Sequence, residues 1–136
     1  MNFLIFLAIF CSISALRVFP DAIQRARTLD RKIIGDIKFK KLAELALNFK
    51  TDTFTYTACG GRPMRFSDVV SFSQNLPLRQ ADAIQSNVLS AQFSGNTLIY
   101  LTRISNIPFV SQIRGTAIPD ARAPAGFKLI RAEQVC

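Results

Sequence analysis

The spacing of apolar residues changes near residue 50, and this change constrains the fold more than any other feature of the chain. Before that point, apolar side chains recur every three or four residues, which predicts amphipathic helices. After it, they alternate with polar side chains, which predicts strands. The order of the two patterns predicts an α+β fold, in which N-terminal amphipathic helical segments are followed by a small antiparallel β-sheet.

Two helical segments are expected before residue 50. Pro20-Asp21 is a typical helix start, and Gly35-Asp36 is expected to interrupt the first helix. Residues 33–39 also alternate in a way that makes a strand the alternative there. The first apolar stripe comprises Ala22, Ile23, Ala26, Leu29, Ile33 and Ile34. The second stripe comprises Phe39, Leu42, Ala43, Leu45, Ala46 and Phe49.

The middle of the chain contains two strand candidates. In residues 51–57, threonines alternate with Phe54 and Tyr56, which is typical of a strand with one face toward water. Residues 65–73 are the second candidate, and residues 75–77 form a turn after it.

The clearest local signal is a hairpin over residues 87–104. Its centre, Gly95-Asn96, is a dipeptide of the kind that forms two-residue hairpin turns. Counting outward from the turn gives a register in which both strands place apolar side chains on one face. The expected pairs are Phe93 with Leu98, Ala91 with Tyr100, and Leu89 with Thr102.

The C-terminal part is expected to contain a strand, a loop and a last strand. Residues 107–113 are a strand candidate, which Pro108 restricts to a strand start or a sheet edge. Residues 114–126 are rich in Ala, Pro and Gly and are predicted to form an ordered loop. Residues 127–135 are predicted to form a short final strand that brings Cys136 back to Cys59.

The first residues predict secretion. Residues 3–10 are all apolar and small residues follow, so residues 1–15 are interpreted as a signal peptide, cleaved after Ser14 or Ala15. An uncleaved anchor is the alternative, but the run is too short to cross a hydrocarbon core of roughly 30 Å as a helix. Residues 16–136 are then a single small secreted α+β domain without a transmembrane anchor.

The predicted signal peptide decides which cysteines can pair in the secreted chain. Cys11 lies in the predicted signal peptide, which leaves Cys59 and Cys136 in the secreted chain. An oxidising compartment favours one disulfide between them. An intermolecular bridge through Cys136 and two free thiols are the alternatives.

The chain is basic, with 17 Lys and Arg against 9 Asp and Glu and a formal net charge of +8. The excess is largest in the N-terminal third, where we predict a site for an anionic surface: lipid, glycan or microbial envelope. An extracellular protein is the other expected partner, and a merely solvated helix face is the alternative interpretation. Arg31-Lys32 is also a dibasic sequence at which a pro-peptide could be cleaved. The predicted site comprises Arg25, Arg27, Arg31, Lys32, Lys38, Lys40 and Lys41.

The sequence contains no catalytic signature. Without any histidine, the chain cannot form Ser-His-Asp or Cys-His pairs or histidine-based zinc sites. The nine acidic residues show no spacing typical of a carboxylate pair or a calcium loop. Gly60-Gly61-Arg62 could form an anion-binding nest, although a plain turn is the alternative. We therefore expect a non-enzymatic protein without metal or cofactor, and no nucleic-acid partner.

Two hypotheses of function follow. The first is a small cationic secreted binding protein, of the defence, salivary, venom or reproductive-fluid type, that acts on an anionic surface or a protein partner. The second is an extracellular carrier or structural protein that encloses a hydrophobic ligand. The 12 phenylalanines supply ample apolar lining for the second.

Overall fold

A computed structural model describes residues 21–107 and 110–136. The predicted signal peptide, Cys11 within it and Pro108 lie outside the described residues. The described chain is helical over residues 21–38, here called α1. The elements that follow are α2 (Leu42–Ala46), β1 (Thr55–Thr57), β2 (Met64–Arg65), α3 (Phe66–Asn75), α4 (Leu78–Ala83), β3 (Gln85–Ser94), β4 (Thr97–Ser105), β5 (Gln112–Pro119) and β6 (Phe127–Gln134).

The strands form one sheet in the order β2-β1-β6-β5-β4-β3. All neighbouring strands are antiparallel except β1 and β6, which are parallel. The predicted α+β class is therefore confirmed, and so is a largely antiparallel sheet. With six strands, the sheet is larger than the small one expected, and α3 and α4 separate its first two strands from the rest.

Helix α1 continues through Gly35, so the predicted interruption was wrong, as was the alternative strand over residues 33–39. The reason is burial: the apolar stripe runs on to Ile37, and the helix gains more from burying it than one glycine costs. The helix ends instead at Lys40, whose φ of 54° is left-handed. Lys41 N–H donates to the Asp36 carbonyl and Lys40 N–H to the Ile37 carbonyl, which is a Schellman ending.

The second helical segment is shorter than predicted. α2 has only five residues, and the predicted core position Phe39 is exposed, whereas Leu45 and Phe49 are buried. The chain leaves the helix because Phe49 forms a parallel bridge with Leu129 of β6. Pairing with the sheet replaces the next helical turn.

The strand predicted over residues 65–73 was also wrong, because this segment is mostly α3. The Asp68 carboxylate accepts a hydrogen bond from the Arg65 N–H at 2.8 Å and so starts the helix. Phe66, Val69 and Ser73 then face the core at helical spacing. The strand predicted over residues 51–57 is reduced to Thr55–Thr57.

The predicted hairpin is confirmed, with β3 and β4 joined by Gly95-Asn96. Phe93 pairs with Leu98 and Ala91 with Tyr100, as expected. The third pair was wrong, because an irregularity between Val88 and Ser90 shifts the register. Val88 therefore pairs with Thr102, and Leu89 is exposed.

The predicted loop over residues 114–126 begins as a strand. β5 runs over Gln112–Pro119 and pairs with β4 on one side and β6 on the other. Two ladders of backbone hydrogen bonds outweigh the weak strand propensity of Gly and Ala there. Only residues 120–126 form the loop, and β6 confirms the predicted final strand.

The predicted disulfide between Cys59 and Cys136 is confirmed, with Cα atoms 5.7 Å apart. Cys59 follows β1 and Cys136 follows β6. Because β1 and β6 are parallel neighbours, their C-terminal ends lie side by side. The bridge therefore fixes the chain terminus to the strand beside it.

Two glycines give opposite predictions for substitution by alanine. A Cβ atom at Gly115 would lie 2.6 Å from ring atoms of Tyr100, whereas nothing lies within 4 Å of one at Gly35. Gly115→Ala should lower the free energy of unfolding by about 1–3 kcal/mol because the ring must move. Gly35→Ala should raise it by about 0.5–1 kcal/mol, because alanine favours the helix. Urea unfolding measures both, and equal effects of the two changes would contradict the packing described.

Loss of the disulfide should destabilise the protein strongly. The bridge spans 77 residues of sequence, and the chain-entropy estimate for such a loop is about 4 kcal/mol. We expect Cys59→Ala combined with Cys136→Ala to lower the free energy of unfolding by up to that amount. A reductant should lower the stability of the unsubstituted protein similarly and leave the double variant unchanged. A reductant that affects neither protein would show that the bridge is not formed.

Candidate functional site

Helix α1 covers one face of the sheet, called here the inner face. Its buried residues belong to the same core as Leu98, Tyr100 and Leu129 of the sheet. Between α1, α3 and the inner face lies a cavity of about 290 Å³. Its lining is largely apolar and includes Ile33, Ile37, Phe54, Ile84, Ile104 and Leu129.

The cavity exists because one row of the inner face has two small residues between large ones. Across the sheet, Met64 pairs with Tyr56, Tyr56 with Ala132, Ala132 with Gly115, and Gly115 with Tyr100. The Tyr100 ring lies over Gly115, so that position adds no side chain of its own. Ala132 contributes only a methyl group, and space remains beneath α1.

Two acidic residues, Asp30 and Asp68, line this largely apolar cavity, and Asp30 is the buried one. Asp30, on the buried side of α1, is only 6% exposed. The Ser86 hydroxyl donates a hydrogen bond to its Oδ2 at 2.5 Å. Burial raises the pKa of Asp30, although hydrogen bonds from Ser86 and Thr102 oppose that rise. The site thus holds a carboxyl group that takes up a proton more readily than an exposed aspartate.

The Tyr100 hydroxyl is the second polar group of the cavity. Tyr100 is 4% exposed and lines the cavity, yet its hydroxyl has no hydrogen-bond partner among residues 21–107 and 110–136. Burial, together with the nearby Asp30 carboxylate, raises the pKa of the phenol. The hydroxyl therefore keeps its proton and can donate it in a hydrogen bond. Among the described residues, only Asn48 Oδ1 is fully buried without a partner, so the Tyr100 hydroxyl is not sealed off and can donate to an acceptor in the cavity.

The mouth of the cavity is formed by side chains that are partly exposed. Phe72 of α3 lines the cavity and is 42% exposed, and Ile107 and Val110 lie at the same opening. Asp68, one helical turn before Phe72, is also at the mouth, and its carboxylate accepts from the Arg65 N–H. The opening therefore lies between α3 and the connection from β4 to β5.

A second depression lies on the other side of α3. It is wider and shallower, and residues 51–55 form one wall. Its lining is mostly threonine and serine, with Asp52 and Arg65 as the charged residues. Because most of the residues that line this depression are polar, whereas those of the cavity beneath α1 are mostly apolar, we place the candidate site in the cavity.

The seven predicted basic residues do not form one face. Arg25, Arg27, Arg31 and Lys32 lie along α1, whereas Lys38, Lys40 and Lys41 lie at its C-terminal end. Lys32 forms ion pairs with Asp36 and Glu44, and Arg25 forms one with Asp21. Lys38 and Lys40 donate to the backbone carbonyls of Ile84 and Gln74.

Three of the seven remain as candidates for contact with an external anion. Arg27, Arg31 and Lys41 are exposed, and no ion pair is found for them within the described part of the chain. Gly60-Gly61-Arg62, the predicted anion nest, lies in an exposed turn.

Sequence reasoning missed both polar groups of the cavity. For Asp30 a signal was present: it lies four residues after Ala26 and three before Ile33, and so on the apolar side of the first helix. A carboxylate in that position is expected to be buried, and buried carboxylates are rare in proteins. For Tyr100 the hairpin register predicted the correct face of the sheet. The position of its ring and hydroxyl also depends on Gly115 of the neighbouring strand β5, over which the ring lies.

Residues 21–107 and 110–136 contain no candidate metal site and no helix that could span a membrane. No cluster of three or more acidic or cysteine side chains there is placed to hold a metal ion. None of the helices described has the length and apolar character needed to cross a membrane.

Comparison with known proteins identifies the fold. No protein-family model matches the chain, and no curated protein matches its sequence significantly. Among solved structures, the CaMKII hub of S. rosetta superposes with a TM-score of 0.61 at 14% identity, over 83% of this chain and 95% of that one.

Two bacterial structures are similar to the same extent. An NTF2-like protein of unknown function from Silicibacter pomeroyi has a TM-score of 0.60 at 10% identity, covering 84% of this chain and 94% of that one. An NTF2-like protein with a cystatin-like fold from Novosphingobium aromaticivorans has a TM-score of 0.58 at 17% identity, covering 89% and 84%. At such identities the likeness shows the fold alone: the chain has the α+β architecture of NTF2-like proteins.

Proposed function

We propose that this protein is a non-enzymatic extracellular carrier that binds one small, largely apolar molecule in the cavity between α1 and the sheet. This was the second of the two hypotheses drawn from the sequence. The observation that carries it is the cavity of about 290 Å³, which is lined mostly by apolar side chains and by the Tyr100 hydroxyl, for which no described residue is a hydrogen-bond partner.

The size and lining of the cavity support a small ligand. Ligand pockets in proteins usually have volumes of about 300–1,000 Å³ and mostly apolar walls with a few polar groups. This cavity lies at the lower end of that range, so the ligand is expected to be no larger than a two- or three-ring compound. Burial of its apolar surface supplies the main part of the binding free energy.

The polar groups support one hydrogen-bond acceptor on the ligand. The Tyr100 hydroxyl is a donor that no described residue satisfies, and Asp30 with its raised pKa lies nearby. A carbonyl or ether oxygen would accept from Tyr100 and remove the cost of its desolvation. An anionic ligand end is disfavoured, because the Asp30 carboxylate would oppose it.

Secretion is part of the proposal. The disulfide between Cys59 and Cys136 is compatible with an oxidising compartment, and the apolar residues 3–10 support export. An extracellular carrier needs a covered apolar cavity to transport a molecule that water dissolves poorly.

Filling the cavity should abolish ligand binding. N-phenylnaphthylamine, whose fluorescence rises in apolar surroundings, should bind the purified protein. Ala132→Leu adds three carbons to the cavity floor, and we expect it to weaken probe binding at least about tenfold by steric exclusion. Ala43→Leu adds the same atoms at an exposed position of α2 and should leave binding unchanged.

Thermal unfolding of both variants checks that each remains folded. A probe that binds the Ala132→Leu variant as tightly as the unsubstituted protein would exclude the cavity as its site. A folded, unsubstituted protein that binds no neutral aromatic probe would contradict the proposed function.

Removal of the Tyr100 hydroxyl should affect only ligands that have an acceptor. Acetylnaphthalene and ethylnaphthalene are nearly equal in size, but only the first has a carbonyl. We expect Tyr100→Phe to weaken acetylnaphthalene binding about fivefold to tenfold and to leave ethylnaphthalene binding unchanged, as displacement of the fluorescent probe measures. The free energy of unfolding should stay nearly constant, because the variant loses no hydrogen bond to a described residue. An equal loss for both ligands would show that the hydroxyl does not contact them.

A further inference from the structure

The end of the molecule where α1 and α3 finish combines exposed apolar side chains with basic ones. Phe39 is 70% exposed and Leu78 is 68% exposed, the highest values among the large apolar side chains described. Phe72 is 42% exposed. Together with the exposed basic residues Lys41 and Arg79, these three form what we call the apolar–basic patch.

Three hydrogen bonds join the ends of the helices that carry this patch. The Ser73 hydroxyl donates to the Ile37 carbonyl at 3.0 Å, which ties α3 to the last turn of α1. Lys40 Nζ donates to the Gln74 carbonyl at 3.0 Å, and Lys38 Nζ to the Ile84 carbonyl at 3.2 Å. The C-terminal ends of α1, α3 and α4 are therefore fixed next to one another.

The exposure of Phe39 follows from the way α1 ends. The Schellman hydrogen bonds of Lys40 and Lys41 fix the backbone on both sides of it, and Lys40 has a left-handed φ of 54°. Its ring is thereby held at the surface, although it belongs to the apolar stripe predicted from the sequence. A single exposed phenylalanine is ordinary, but several apolar residues rimmed by basic ones are typical of an interaction surface.

The patch is continuous with the mouth of the cavity. Phe72 belongs to both, and Arg79 lies beside Ile107, another residue of the mouth. A surface that covers the patch would therefore also lie against the cavity opening.

We propose that the apolar–basic patch docks on an anionic lipid membrane. Phe39 and Leu78 insert into the headgroup region, while Lys41 and Arg79 lie near the lipid phosphates. Charge complementarity favours this occupant. Lys38 and Lys40 add to the positive charge of Lys41 and Arg79, whereas the exposed acidic residues nearby in sequence are Glu44, which pairs with Lys32, and Asp82. The whole chain carries a formal net charge of +8. The same charge opposes docking of a second copy of the chain. Exchange of the apolar ligand with the bilayer would rest on the proposed function, but docking itself does not.

Vesicle sedimentation tests the docking. We expect the purified, oxidised secreted chain, residues 16–136, to bind vesicles of phosphatidylcholine mixed with phosphatidylglycerol, and to bind phosphatidylcholine alone much more weakly. Phe39→Ser should lower the partition coefficient about tenfold, since one buried aromatic ring is lost. Lys41→Gln and Arg79→Gln should each lower it about fivefold, and added salt should reduce binding.

Matched variants keep the test specific. Leu89→Ser removes another exposed leucine, on β3, and Arg62→Gln removes an exposed arginine before β2. Both should bind vesicles as the unsubstituted protein does, and thermal unfolding checks that every variant is folded. Equal losses for Leu89→Ser and Phe39→Ser would overturn the proposal.

Two further outcomes would also overturn it, and one measurement separates it from the proposed function. Failure of the folded protein to bind anionic vesicles overturns the proposal. If the protein self-associates instead, and Phe39→Ser abolishes this self-association, the patch is a contact between copies of the chain and the proposal is overturned as well. Phe39→Ser should still bind N-phenylnaphthylamine in solution, whereas Ala132→Leu should lose the probe and still bind vesicles. Loss of probe binding alone therefore counts only against the carrier function.

Discussion

The contact between α1 and the inner face of the sheet is the interaction on which the rest of the structure depends. The helix buries Ala22, Ala26, Leu29, Ile33 and Ile37 against the sheet core. Each large apolar side chain contributes about 1.5–3 kcal/mol when fully buried, whereas one glycine within a helix costs about 1 kcal/mol. Burial therefore decides where the helix ends, and Gly35 does not. Because α1 extends to residue 38, its last turn reaches α3 and α4 and is held there by hydrogen bonds.

The cavity follows from the same contact. A helix must remain far enough above a sheet for the largest side chains between them, so a row with small residues leaves space unfilled. Here Ala132 and Gly115 lie between Tyr56 and Tyr100 in one row across four strands. The tyrosines set the height, and the small residues leave the gap. The apolar–basic patch adjoins this gap, because the C-terminal turn of α1 is held against α3, which carries Phe72 at the mouth.

The sequence predicted those parts of the fold that local interactions decide. The hairpin at Gly95-Asn96 was predictable with its register, because turn type and alternation are both local signals. Its one error, Leu89, comes from an irregularity between Val88 and Ser90, which neither the turn nor the alternation indicates. Residues 65–73 and β5 were assigned wrongly because their state depends on Asp68 as a helix start and on two flanking strands. The candidate site was less predictable still: the cavity depends on a row of residues from separate strands, and no local pattern reports such a row.

The polar groups of the cavity cannot be explained by packing. Phenylalanine at position 100 would cover Gly115 as well as tyrosine does, so the hydroxyl adds nothing to that contact. Asp30 likewise occupies a position on α1 where an apolar residue would continue the stripe, and burial disfavours its charged form there. The carrier proposal gives the Tyr100 hydroxyl a role: a ligand with an acceptor oxygen would gain a hydrogen bond from it, so the hydroxyl would strengthen the complex and select for that ligand.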